Sequence, residues 1–435
     1  MKKRLLKPNK NQGEIFQKAF YVFLIRVLGY FCGFVFFWMV ANKYGSKTQG
    51  VFSIAFLFLS IGAMISKLGI ETALVKWIAS SKTLTSQKFI FQKSSTIVLT
   101  SSLFVALILY LLAPFISLMY DKPDTELSIK FAAISVPFLS LLEVSSNLYK
   151  GRKNTTTYGL FYHLFKFLAP LICLSVFYFS GVLDFETPMM SYLFGLVFVT
   201  LIIYALIGLL FKGIPKEVDS SMTLNKMLST SYPMLISSSI IMIMGWSDVF
   251  ILGFFVTEEE IGIYSTAIKL AAIVSFAYNA IATIAAPKIA AYFSEDKKKE
   301  LRETITFSSK LMLITGVPIF GILFIFPEYF LAIFGEEYVA GKNVLRILLL
   351  AQVTNVLTGP VGPILNMTGQ QNKLKKFISI SLIFNIVISI ALVQKYELEG
   401  VATASAIGMI LWNILGALFI MKKMNIRSWV SFKAN

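Results

Sequence analysis

The chain has 435 residues, 56% of them hydrophobic and only 14% charged; that is too little polar surface to cover a soluble globule of this size, so it belongs in a bilayer. The formal net charge is +17, but Lys and Arg fall mostly between apolar stretches, where they set orientation, and nucleic acid is not the expected partner. Cys32 and Cys173 both lie inside apolar segments and His163 is the single histidine, which argues against a disulfide framework and against a His/Cys metal site.

In chain order, a basic stretch over residues 1–18 precedes an apolar run over 19–41. That run is too long for a signal-peptide core and lacks a clear small-residue cleavage site, so it reads as a retained first span. Apolar runs near the length of a bilayer crossing then predict about twelve helices, over 19–41, 49–69, 94–118, 127–148, 158–180, 188–211, 227–255, 261–286, 307–326, 344–367, 377–393 and 400–421. The fold class expected is all-α and integral to the membrane, with residues 1–211 as one six-helix bundle, 212–226 as a cytoplasmic linker and 227–435 as a second bundle.

Alternate connections carry the base. Lys2, Lys3, Arg4 and Lys7 stand before the first span, and Lys76 to Lys93, Lys150 to Lys153, Lys212 to Lys226, Lys297 to Arg302, Lys373 to Lys376 and Lys422 to Arg427 follow at every second connection. The connections between them are poorer in base and often acidic, as at Asp121, Asp184, Glu258 to Glu260 and Glu336, with Lys43 and Lys47 as the exception. The positive-inside rule puts both termini in the cytoplasm and gives an even number of spans. No connection is long enough for a soluble motor domain. Gly335 to Asn343 has the wrong glycine spacing for a phosphate loop and no Ser or Thr after its Lys.

Ionisable residues inside spans cost about 2.5 to 3.5 kcal/mol each at mid-helix, so each needs a reason. Arg26 shares a helical face with Gly29 and Gly33, small residues that let a neighbouring backbone come close, which turns it toward the protein interior; the alternative is an arginine snorkelling to the headgroups. Lys67 continues a polar stripe from Ser53 and Ser60, and Lys269 a stripe from Ser265 through Ser275 to Asn279. Asp248 is either a coupling carboxylate or a salt-bridge partner of Lys269, the pairing being favoured. Glu143 and Lys166 are expected to pair with one another, while Lys130, Lys310 and Arg346 near span ends suit snorkelling, and His163 reads as a packed histidine rather than a proton relay. Gly359, Pro360, Gly362 and Pro363 cannot continue a helix, because each proline removes a donor and clashes with the preceding turn; a kink follows, either static or a bending point.

A short phrase occurs twice. Gly50-Val51-Phe52-Ser53-Ile54-Ala55 returns as Gly262-Ile263-Tyr264-Ser265-Thr266-Ala267, and Gly151-Arg152-Lys153-Asn154 is echoed by Gly369-Gln370-Gln371-Asn372. Markers repeated in one order predict a duplicated bundle, and with both halves starting inside the repeat is parallel.

Together with Phe334-Gly335-Glu336-Glu337-Tyr338 and the following Val344-Leu345-Arg346-Ile347-Leu348, these features make the whole chain resemble the polysaccharide transporters of the multidrug/oligosaccharidyl-lipid/polysaccharide exporter superfamily, and more narrowly the O-antigen flippases and their capsule and teichuronic acid relatives. The resemblance implies a V-shaped pair of bundles in a bacterial inner membrane. It implies alternating access for an undecaprenyl-diphosphate-linked oligosaccharide, with Arg26, Lys67 and Lys269 as cavity cations and Asp248, Glu143 and Lys166 as coupling or ion-pairing groups. No cofactor is implied, H+ or Na+ coupling is left open, and a glycan polymerase and a chain-length regulator are the partners beyond substrate and lipid. Two other readings compete. A multidrug/cation antiporter would place an acidic residue in the first span, where this chain has only Arg26; a membrane glycan polymerase or ligase would carry a large outer loop, and the loops here are short.

Overall fold

The computed structural model describes residues 10–215 and 222–429. The basic residues 2–7 and Lys216, used above to set orientation, lie outside the described residues. Within them the chain is helical from end to end: α1 (Lys10–Lys67), α2 (Ile70–Ser80), α3 (Leu84–Met119), α4 (Thr125–Gly151), α5 (Thr155–Gly159), a π-helical turn (Leu160–Phe165), α6 (Lys166–Phe179), α7 (Thr187–Leu210), α8 (Leu224–Phe255), α9 (Glu258–Ser294), α10 (Lys298–Ile325), α11 (Pro327–Ala332), a 3-10 turn (Glu336–Gly341), α12 (Lys342–Thr358), α13 (Val361–Met367) and α14 (Gln371–Met424).

Each predicted span falls in a helical segment, though not one to one. The first two spans share α1 and meet at a kink where Gly45 takes φ 86°, ψ 171°. The last two share α14 and meet at Glu397, with φ 43°, ψ −122°. The fifth runs through α5, the π-helical turn and α6, and the tenth is α12 followed by α13, bent by 49°. These are the helices of a multi-pass membrane protein.

By its contacts the chain forms two compact units. The first comprises Met1–Met39, Phe58–Ser117 and Pro123–Ile236; the second comprises Val40–Leu57, Leu118–Lys122 and Ser237–Asn435. In the first unit α4 is the central element, and 72% of its most apolar window is buried. Its buried serines Ser128, Ser135, Ser140, Ser145 and Ser146 are small enough for neighbouring helices to approach, as small residues are in membrane helix packing. Gly195 on α7 makes such an approach possible at α6, since a Cβ there would lie 2.4 Å from the Pro170 nitrogen. In the second unit, Ile289, Ile305, Val361, Ile364, Leu365 and Ile420 form a fully buried core. Gly416 on α14 seats Val361 beside that core.

The acidic connection before α9 has a local structural job. Thr257 and Glu260 form a reciprocal capping box: the Glu260 amide donates to Thr257 Oγ1 at 3.3 Å, and the Thr257 amide donates to Glu260 Oε2 at 2.8 Å. Glu258 and Glu259 add negative charge to the same first turn, where the helix dipole favours it.

The repeated phrase is where the second unit is tightest. A Cβ on Gly50 would fall 1.8 Å from the Glu258 carbonyl oxygen, and a Cβ on Gly262 would fall 2.1 Å from the Ser46 carbonyl oxygen. The contact is reciprocal: each glycine meets the backbone four residues before the other. The two copies of the phrase thus cross each other through bare backbone, and only glycine fits at either position. Around the crossing, the Ser46 amide donates to Glu337 Oε1 at 2.7 Å, Asn42 Nδ2 donates to the Ile333 carbonyl at 3.2 Å and Tyr338 Oη donates to the Ala41 carbonyl at 3.3 Å.

Gly50→Ala and Gly262→Ala should each destabilise the protein by about 1 to 3 kcal/mol or more, because neither backbone can yield a full methyl radius. Gly208→Ala and Gly321→Ala, where a Cβ meets nothing within 4 Å, should hold or raise stability by up to about 1 kcal/mol. Thermal midpoints of the purified variants in detergent measure the contrast, and equal losses at all four positions would contradict it.

Candidate functional site

In the first unit a polar cluster is assembled from four elements. Lys67 closes α1, Glu71 lies one turn on in α2, Glu143 is in the middle of α4 and Lys166 opens α6. Lys67 Nζ donates to Glu143 Oε2 at 2.5 Å and also pairs with Glu71, while Lys166 Nζ donates to Glu143 Oε1 at 2.6 Å. Glu143 and Lys67 are both buried. The expected Glu143–Lys166 pair is present in the geometry, and Lys67 shares the same carboxylate. A buried charge without a partner costs several kcal/mol, so one carboxylate taken by two lysines stabilises all three only as a set.

Arg26 lies one turn before Gly29 on α1. A Cβ on Gly29 would lie 2.5 Å from the His163 carbonyl oxygen, and one on Gly33 would lie 3.4 Å from the Phe167 ring. The small-residue face of the first span therefore seats the π-helical turn and the start of α6. Arg26 is half-buried on this face, and its Nε is buried without a hydrogen-bond partner, as is His163 Nε2. Tyr158, Tyr162 and His163 form a small aromatic group, with Tyr158 stacked on Tyr162 at 5.0 Å and both tyrosines edge-on to the His163 ring. Lys150 sits over the Tyr158 ring at 5.1 Å, and Lys166 over the Tyr162 ring at 5.7 Å. A π-helical turn widens the helix by one residue and recurs at functional sites; here it brings two tyrosines and a histidine to one place.

In the second unit the buried carboxylate is Asp248 on α8. Tyr264 Oη donates to its Oδ2 at 2.7 Å, Ser405 Oγ lies 2.6 Å from both oxygens, and Asn385 Nδ2 approaches Oδ1 at 3.5 Å. Asn385 is fixed in turn: it donates to Ser405 Oγ at 2.7 Å and accepts from Ser247 Oγ at 3.0 Å. The favoured ion pair with Lys269 is not formed. Lys269 is half-buried on α9 and lies beyond salt-bridge reach of Asp248, whose partners are all neutral. Sequence reading missed Asn385 and Ser405, which sit on the two arms of α14. Tyr264 was legible as the place where the second copy of the repeated phrase carries a hydroxyl that Phe52 lacks.

The break in the tenth span is where the glycine–proline pattern puts it. Gly359 takes φ 74°, ψ −165°, and a Cβ there would meet the Ser428 carbonyl oxygen at 2.0 Å. Beside the break Asn413 Nδ2 donates to Asn355 Oδ1 at 2.6 Å and Thr358 Oγ1 donates to Asn413 Oδ1 at 3.3 Å, so amide and hydroxyl side chains tie α12 to α14. Gly362 has open space around it and Pro363 lies within α13. Two of the cations near span ends have local partners: Lys130 pairs with Glu126 at 2.6 Å, and Arg346 donates to the Phe324 carbonyl at 3.4 Å. In the connection between α3 and α4, Lys122 donates to the Gly253 carbonyl at 2.8 Å, and burial holds its ammonium below the usual lysine range.

The model of the polysaccharide biosynthesis protein family matches residues 15–293, and that of the MatE family matches residues 233–391. The probable low-salt glycan biosynthesis flippase Agl15 of Haloferax volcanii is 25% identical over 183 residues, covering 42% of this chain and 39% of its own length. This chain thus matches about two fifths of that relative. Among solved structures, the lipid II flippase MurJ in an inward closed conformation superposes with a TM-score of 0.73 at 16% identity, covering 94% of this chain and 88% of MurJ. An inward-facing multidrug resistance MATE family transporter of the MOP superfamily superposes with a TM-score of 0.72 at 14% identity, covering 92% and 94%. At these identities the structures establish the fold, an all-α membrane transporter fold.

Glu143→Gln should leave Lys166 without its counter-charge and Lys67 with Glu71 alone, and cost about 3 to 5 kcal/mol. The same change made together with Lys67→Gln, Lys166→Gln and Glu71→Gln should cost less than Glu143→Gln alone, since no charge of the set is then left unmatched. Thermal midpoints and yields of folded protein report the coupling; additive losses would show that the four residues do not act as a set.

Proposed function

The chain belongs to the polysaccharide biosynthesis protein family, whose model matches more than half of it, and from that membership we propose that it is a flippase carrying a lipid-linked oligosaccharide from the cytoplasmic to the outer leaflet by alternating access. The cargo class is an undecaprenyl-diphosphate-linked repeat unit of O-antigen, capsule or a related surface polysaccharide, and the membrane is a bacterial inner membrane with both termini in the cytoplasm. The observation that carries the reading is the sign of the intramembrane charge in the first unit. Arg26, Lys67 and Lys166 cluster there with Glu71 and Glu143, an excess of one cation, which suits an anionic headgroup and not the cationic cargo of a drug antiporter. A glycan head presents many hydroxyls, each costing about 1 to 3 kcal/mol when buried without a partner, so unassisted crossing is very slow. A polar passage lowers that barrier while the polyprenyl tail stays in lipid.

Residues 1–211 and 227–435 are proposed as the two six-span halves. Arg26 and Lys269 are the proposed cargo cations, and Lys67, committed to Glu143 and Glu71, is assigned to the ion-pair set. Asp248 is the proposed coupling group. A carboxylate held among hydroxyls and an amide at bilayer depth is left with its full charge, and a proton or Na+ joining it restores neutrality. The bend at Gly359, Pro360, Gly362 and Pro363 is the proposed hinge. A glycan polymerase and a chain-length regulator are its proposed partners in the membrane, and the chain itself performs no bond-making step.

An anionic head leaving a negative cytoplasm moves down the electrical gradient, worth about 2.3 kcal/mol per charge for each 100 mV. In proteoliposomes holding a defined lipid-linked glycan, a potential negative on the cytoplasmic side should speed outward flipping without ATP. Asp248→Asn should keep that response and lose any acceleration by an imposed H+ or Na+ gradient. A requirement for ATP, or no glycan movement under any gradient, would refute the flippase reading.

A further inference from the structure

In the second unit, α9 and α10 run antiparallel about a reversal at Asp296, where φ is 51°, and a cavity of about 320 Å³ lies along the pair. Each helix gives it one face. On α9 the lining residues Ile281, Ile284, Ala285, Lys288 and Tyr292 recur at helical spacing, and on α10 Glu300, Glu303, Thr304, Phe307, Ser308 and Leu311 do the same. The floor of the groove is made of small side chains. Ala285 and Ser308 are buried, and the Ser308 hydroxyl donates to the Thr304 carbonyl of its own helix at 2.8 Å.

The chemistry of the groove changes in one direction. Counted from Asp296, Tyr292 and Glu300 each lie four residues away, Lys288 and Thr304 each eight, Ala285 and Phe307 each eleven, and Ile281 and Leu311 each fifteen. Hydroxyls and charges therefore stand nearest the connection and apolar side chains beyond them, at about one level per turn. Ile284 and Phe307 are exposed, so the apolar end opens sideways to hydrocarbon while the polar end lies toward water. The charges of the connection itself pair locally, Lys297 with Glu295 at 2.5 Å and Lys298 with Asp296 at 3.6 Å. Lys288, Glu300 and Glu303 form no salt bridge among the described residues, although they line the same cavity.

One cation and two carboxylates at the mouth of an apolar slot complement an amphiphile whose head carries both signs. We propose that this groove holds a membrane phospholipid with a primary-amine head, a phosphatidylethanolamine. Its phosphate rests on Lys288 and the Thr304 hydroxyl, its ammonium lies between Glu300 and Glu303, and its chains lie against Ile284, Phe307 and Leu311. The order of the groups fits, because the ammonium of such a lipid is farther from the chains than the phosphate, and Glu300 stands one turn farther from the apolar end than Lys288 and Thr304. The two carboxylates work against a purely anionic head, the diphosphate of the proposed cargo included. A choline head has the same charge as ethanolamine but no N–H to donate to them. The groove is thus a site for a resident lipid of the bilayer, and it does not depend on the flippase reading.

Native mass spectrometry of the purified full-length protein tests the assignment by the lipid it retains. The protein is released from nanodiscs holding equal amounts of phosphatidylethanolamine, phosphatidylcholine and phosphatidylglycerol with identical chains. The wild type should retain phosphatidylethanolamine about two- to fivefold over either other lipid, the discrimination expected of partly exposed charged contacts. Glu300→Gln made with Glu303→Gln should erase the preference over phosphatidylcholine and raise the retention of phosphatidylglycerol. Lys288→Gln should lower the retention of all three lipids, whereas Lys299→Gln, in the same connection and outside the groove lining, should behave as the wild type. All four positions are exposed, so the fold tolerates these changes. Soluble phosphoethanolamine should not displace the lipid, since it has no chains for the apolar end. The proposal is overturned if the wild type retains the three lipids equally, if the double glutamate variant keeps the preference, if Lys299→Gln lowers retention as much as Lys288→Gln, or if phosphoethanolamine displaces the bound lipid.

Discussion

Glu143 sits at the point where the first unit answers the central difficulty of placing charge in a bilayer. Its two oxygens are each taken by a lysine, and those lysines belong to α1 and α6, while Glu71 of α2 completes the set. Helices joined through one carboxylate cannot slide or rotate independently without exposing a charge to hydrocarbon. Apolar contacts between membrane helices give no such register, because lipid tails match an apolar side chain as well as another helix does. The positions of Arg26, Lys150 and the π-helical turn follow from this, since α1, α4 and the fifth span are the elements whose relative placement the ion pairs fix.

The second unit handles its buried carboxylate differently. Asp248 is surrounded by donors that carry no charge, and the donors form an ordered chain in which Ser247 orients Asn385 and Asn385 and Tyr264 complete the setting with Ser405. In the first unit each oxygen of the buried carboxylate meets a lysine, whereas in the second the carboxylate meets hydroxyls and an amide.

Much of this was legible in the sequence because the bilayer restricts what a chain can do. The twelve apolar runs all fall in helices, and the glycine–proline pattern at 359–363 falls at a 49° bend. The small-residue face of the first span also has the partner that Gly29 and Gly33 called for, although which span would supply it was not readable. The kinks at Gly45 and Glu397 were hidden because they leave helices continuous through segments that look like connections. The Asp248 setting was misjudged for a plain reason: opposite charges in neighbouring spans suggest a pair, but hydroxyl and amide groups on distant α14 reached the carboxylate instead. Serines and asparagines carry little periodic signal, and contacts at sequence separations above one hundred residues leave none in a single sequence.

The crossing of Gly50 and Gly262 has the form of an interface between two identical subunits. When residue i of one copy meets the backbone before residue j of the other, and j meets the backbone before i, the two surfaces are related by a local two-fold axis and each is its own complement. Here both surfaces belong to one polypeptide, so docking them costs no translational freedom and needs no second chain. Within one chain the two surfaces need not be the same. The glycines, which touch, are glycine in both copies, while the neighbouring aromatic position differs: Phe52 is purely apolar and Tyr264 carries the hydroxyl that donates to Asp248. A homodimer would have to place that hydroxyl, and a carboxylate to receive it, in both subunits; this chain carries the arrangement once.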